Sequence, residues 1–144
     1  MAAQQTPLVG SWRLISAQSS IADGGKIQVS LMQNPKGYLI LTPQGRMMTV
    51  ATFGDRKKIY ASQDDFRQLL TTMTAYTGRY RIEGSDFVTM VDVSWYEVWT
   101  GTEQRRHYKI EGDKLTIVSA PQPVGAGPQA NAMVTVTLVW EREN

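Results

Sequence analysis

The chain has one histidine and no cysteine, so its capacity for side-chain chemistry is narrow. Without cysteine there is no disulfide, no thiolate nucleophile and no Cys-ligated zinc or iron–sulfur centre. His107 stands in "RRHYK" with no second His to share a metal, which excludes the usual transition-metal ligand sets. If that stretch is a strand, alternate residues share a face. Arg105, His107 and Lys109 then lie on one side, and Arg106, Tyr108 and Ile110 on the other. The first side is polar throughout and reads as solvent-facing, with His107 a surface residue. The second reads as interior. A buried Arg needs a partner. Arg106 therefore holds the carboxylate, phenolate or enolate of a ligand, or pairs with an internal carboxylate such as Asp92, or snorkels to a rim.

Two carboxylates are candidate acid–base groups. Glu97 sits among Trp95, Tyr96, Val98 and Trp99. Desolvation there would raise its pKa and suit it to act as a general base; the competing reading is a solvated loop Glu. Asp92 shares a strand face with Met90 and Ser94, and both faces of that strand are mixed, so it reads equally as interior or exterior. Tyr38, Tyr80, Tyr108, Trp95 and Trp99, with Met48 and Met90, are candidate ligand contacts beside Arg106. Aromatic rings suit flat or apolar ligands and Met gives an adaptable wall; core packing is the competing reading for each. "GAGPQA" at 125–130 fits a dinucleotide fingerprint formally, but no βαβ unit surrounds it, and it is rejected. No cofactor and no metal are expected.

The elements that must position these residues are mostly short strands. The pattern predicts strands at 11–18, 25–32, 37–42, 46–53, 78–84, 87–95, 104–112, 114–120 and 132–143. "PQG" (43–45), "EGSD" (83–86) and Gly112-Asp113 mark hairpin turns. One segment breaks the pattern. Phe66, Leu69, Leu70 and Met73 follow helical spacing, and Ser62 with Asp65 resembles a capping box, so a helix is expected over about 63–75 with its apolar stripe buried. The basic run "DRKK" (55–58) reads as a solvated turn, and 121–132 as a surface loop. Evenly spaced strands joined by hairpins predict an all-β chain, an antiparallel up-and-down barrel of eight or nine strands. Such a barrel can hold one small ligand. Gly10-x-Trp12 would enter it at one end, with the indole as a cover, and "LVWERE" would pair with the first strand and close it.

The 144 residues fit a single domain, 1–144, with a flexible start at 1–7. A net charge of +2 is too small to imply a nucleic-acid partner. The N-terminus has no signal-peptide pattern, and no apolar run approaches a membrane span, so a cytoplasmic protein is expected.

"GSWRLIS" (10–16), "PKGYLILTPQGRMM" (35–48), "AYTGRYRIEG" (75–84), "VDVSWYEVWTGTEQRR" (91–106) and "VWER" (139–142) occur in an order that resembles the small bacterial and fungal lipocalin-like domain proteins. The resemblance spans nearly the whole chain. It implies a lipocalin-like β-barrel with an internal pocket, in a group that includes carriers and natural-product cyclases. Such sequences usually carry one or two His where this chain has Thr89 and Met90.

The expected function is binding of a small, largely apolar or aromatic molecule inside the barrel, by a monomer or homodimer. The alternative is a cofactor-free cyclase or isomerase, with Glu97 or Asp92 as base and Arg106 stabilising negative charge. A third reading is a barrel with a filled interior.

Overall fold

Alternation along each strand sorts the side chains onto two faces in the computed structural model, which describes residues 7–123 and 132–144. Leu39 and Leu41 are buried while Tyr38 and Ile40 are exposed; Met47, Thr49 and Ala51 are buried while Met48 and Val50 are exposed. The strands run β1 (Gly10–Asp23), β2 (Lys26–Leu31), β3 (Lys36–Leu41) and β4 (Arg46–Thr52). The helix α1 (Gln63–Thr71) follows, then β5 (Met73–Glu83), β6 (Asp86–Ser94), β7 (Glu103–Glu111) and β8 (Lys114–Ser119). The two-residue β9 (Gln122–Pro123) precedes β10 (Met133–Arg142). The turn Glu97–Trp99 between β6 and β7 is a 3-10 helix.

All pairings are antiparallel, and the ring closes. β3 to β8 pair in sequence, β8 pairs β10, β10 pairs β1, and β1 pairs β3. The result is a closed eight-strand barrel with β2 as an extra strand. Closure satisfies the backbone of every barrel strand without leaving a free edge. The long β1 spans two neighbours on one side: Gly10–Arg13 pair β3, and Gln18–Asp23 pair β2. On its other side it pairs β10 from Trp12↔Arg142 to Ala22↔Met133, with a break between Leu14 and Ser16.

One end of the barrel is plugged. Trp12 is fully buried, and its Nε1 donates to the Leu8 carbonyl at 2.9 Å. The Arg142 guanidinium lies 4.2 Å from the Trp12 ring centroid and donates to the carbonyls of Val9 and Pro7. Gly10 has φ +136°, a backbone that favours glycine, and an added Cβ would sit 2.7 Å from Arg142 Nη1. Gly10-x-Trp12 thus lets an indole, an arginine and the Pro7–Val9 backbone share one small space. The turns that join β3 to β4, β5 to β6 and β7 to β8 gather at this end. The helix, the 95–102 connection and the start of β10 lie at the other.

Three expectations need correction. The helix stops at Thr71, and Met73 already belongs to β5. The run "TTMTAYT" is rich in β-branched Thr, which favours a strand, and Thr72 caps the helix through its N–H to Gln68 O. The apolar stripe is also not buried: Phe66 is 54% exposed and Leu70 58%. The capping box is as expected, with Asp65 N–H to Ser62 Oγ at 3.1 Å and Asp65 accepting from the Ser62 N–H. The basic run at 55–58 is more than a solvated turn. Arg56 donates to the carbonyls of Leu69 and Thr72, and Lys57 pairs with Asp65 at 3.6 Å, so the run holds both ends of α1. The fingerprint-like stretch 125–130 and most of the expected 1–7 and 121–132 segments lie outside the described residues. Among the described residues no helix is long and apolar enough to cross a membrane.

Candidate ligand-binding cavity

Inward-facing residues leave a cavity of about 240 Å³ inside the barrel. Leu39, Met47, Phe87, Ile117 and Trp140 form its apolar walls. They come from β3, β4, β6, β8 and β10, each at the buried phase of its alternation. Thr49 and Ser119 add hydroxyls to the wall.

The mouth is aromatic. Trp99 packs edge-on against Tyr76 and against Trp95, both at 5.2 Å between centroids. Such pairs add about 0.5–1.5 kcal/mol beyond their area burial, so the 3-10 turn is held without a buried residue of its own. Trp95 Nε1 donates to the Leu70 carbonyl at 3.2 Å, which ties the mouth to α1. The helix therefore flanks the opening and does not fill it.

Arg106 is the one charged side chain among the described residues that line the cavity. It is 9% exposed. β7 places it there by alternation: Gln104 and Arg106 are buried, while Arg105 and His107 are exposed. Its guanidinium donates to Arg105 O at 3.0 Å and Gln104 Oε1 at 3.3 Å. The Trp99 ring lies 5.5 Å from the guanidinium carbon. Of the three readings for Arg106, pairing with Asp92 is ruled out by position. Asp92 is exposed and forms a bidentate pair with Arg46 at 2.9 and 3.2 Å. Arg46 holds the Asp92 carboxyl below its ordinary 3.8.

The other expected site residues divide by face. Trp95 and Trp99 line the cavity with Arg106. Tyr80 and Tyr108 pack against the core towards the plugged end, where Tyr80 Oη donates to Thr42 O and Tyr108 meets Phe87 edge-on. Tyr38, Met48 and Met90 are exposed on the outer face, because each sits one residue off the buried phase. Glu97 is exposed in the 3-10 turn and does not line the cavity. His107 is a surface residue, 3.2 Å from Asp86. Among the cavity residues that sequence reasoning missed are Leu39, Thr49, Phe87, Ile117, Ser119 and Trp140. Of the neighbours Met47 and Met48 one has to face inward, and the hairpin register chooses Met47.

A model of the lipocalin-like domain matches residues 9–143. The chain belongs to that lipocalin-like family. The match runs from the Gly10-x-Trp12 plug to the Arg142 that stacks on it. The lipocalin-like barrel fold suggests ligand binding in general. No curated protein matches the chain.

Proposed function

We propose that this lipocalin-like chain binds one small, largely apolar or aromatic molecule in the barrel interior. The observation that carries the reading is the cavity of about 240 Å³ with apolar walls and an aromatic mouth. An apolar cavity of ~150 Å³ suffices to take up benzene, whereas a water needs only about 10–15 Å³. The space thus suits a one- or two-ring aromatic or a short acyl chain, and it speaks against a filled barrel. The cyclase or isomerase alternative needs a carboxylate on the wall. Glu97 and Asp92 both lie off it, so binding without turnover is the better-supported reading.

The test is native mass spectrometry of the purified chain, then a tryptophan-fluorescence titration with small aromatic and acyl compounds. Trp95, Trp99 and Trp140 line the cavity and report directly. A co-purified mass or a saturable quench, with the ligand recovered unchanged, is the expected result. No mass and no quench across the panel would overturn it.

A further inference from the structure

Resting on the binding reading above, we infer that the ligand carries a single anionic oxygen group of the carboxylate class, received by Arg106 and Ser119. A guanidinium has five N–H donors, and the partners of Arg106 are two neutral oxygens, Arg105 O and Gln104 Oε1. No carboxylate stands within 4.0 Å of it among the described residues. A cation in a largely apolar cavity without a counter-charge is costly, and an anionic ligand removes that cost.

The surrounding groups favour the same chemistry. Ser119 is the cross-strand partner of Arg106, and both line the cavity. Directly opposed residues share a face, with Cβ atoms about 4.5–5.5 Å apart, within joint reach of one small group. Ser119 Oγ accepts the Val136 N–H at 2.9 Å, which leaves its hydroxyl proton to donate. Deeper in the wall, Trp140 Nε1 is a buried donor without a partner. Each of these three side chains thus has a donor to spare. Trp99 against the guanidinium and Gln104 beneath it hold the fork in place. A planar carboxylate accepts such a fork in bidentate fashion, and one cation matches one negative charge.

The test is calorimetric titration of the full chain with three acid–amide pairs: cinnamate and cinnamamide, naphthoate and naphthamide, octanoate and octanamide. Each amide keeps the shape of its acid and removes the charge. The wild-type chain is expected to bind at least one acid about tenfold or more tightly than its amide, the size of a charge-assisted hydrogen bond. Arg106→Met should erase that preference and leave amide affinity within about twofold, which also reports an intact cavity. Arg106→Lys keeps the charge without the fork and should retain part of the preference. Equal binding of acid and amide by the wild type overturns the anion inference and leaves the binding reading standing. So does a preference that survives in Arg106→Met. If Arg106→Met fails to fold, the wild-type comparison still decides. Failure of all six compounds to bind, with no quench in the wider panel, removes the binding reading and the inference with it.

Discussion

At the scale of single residues, the barrel depends on positions where no side chain fits. Gly78 lies at the irregularity between β5 and β6, and a Cβ there would overlap the carbonyl of Met90 and touch the methyl of Thr89. The obstruction is backbone in a paired strand, so relief requires shifting β6. Gly78→Ala should therefore cost about 1–3 kcal/mol, as overpacking of a tight site does. Thermal melts of the two proteins check this; an unchanged Tm would mean that the β5–β6 irregularity absorbs the methyl. The same scale shows what could be read in advance. Alternation in "RRHYK" alone places Arg106 inside and His107 outside, because that strand has one uniformly polar face. Residue type alone points Met48, Met90 and Tyr38 to the pocket, and the structure puts all three outside. β3 and β4 carry apolar residues on both faces, and both faces of β6 are mixed, so type carries no phase: Met47 and Met48 differ only in register.

At the scale of elements, the strands were legible and the helix only half so. The turns at 43–45, 83–86 and 112–113 fall where Gly and Asp mark them, and most strand ends agree with the expected ranges within two residues. The exceptions are β1, which runs on to Asp23, and β5, which begins at Met73. Both extensions are set by partners distant in sequence: β10 along β1, and β4 along β5. Helical spacing found α1, but periodicity cannot say whether a stripe is covered. α1 buries no residue, and its ties are mostly polar: the Ser62–Asp65 box, Arg56 at its last carbonyls, and Trp95 to Leu70 O, beside the stacking of Phe66 on Tyr60. Its stability is accordingly local. Ser62→Ala removes a cap worth about 1 kcal/mol. The expected outcome is faster amide hydrogen exchange across Gln63–Thr71, with a Tm that hardly moves. A large fall in Tm would instead mean that α1 unfolds together with the barrel.

At the scale of the whole molecule, the outer surface of β5, β6 and β7 is a lattice of ion pairs. Arg81 meets Glu83 and Glu103, Arg105 meets Glu83 and Asp86, and His107 meets Asp86. Val88 lies in register between Arg81 and Arg105 and is buried, covered by their aliphatic stems. Elsewhere Arg46 meets Asp92, and Lys114 meets Glu141. Hydrogen bonds from Arg105, first, hold the carboxyls of Glu83 and Asp86 below their ordinary 4.5 and 3.8. Arg46 does the same for Asp92, and Lys114 for Glu141. A carboxyl with a depressed pKa in the folded state binds fewer protons there than in the unfolded chain. Its stabilisation is present above the ordinary carboxylate values and is lost as pH falls through the folded values. Each pair is solvent-exposed and individually worth little, so the effect must come from their sum. Thermal melts from about pH 6 to about pH 3 should show Tm falling progressively at the acid end, less steeply in high salt, where surface pairs are screened. Glu83 sits between two arginines, and Glu83→Gln should flatten the acid slope as well as lower Tm at neutral pH. A Tm that stays level to pH 3 would show that these pairs contribute nothing and that packing alone holds the barrel.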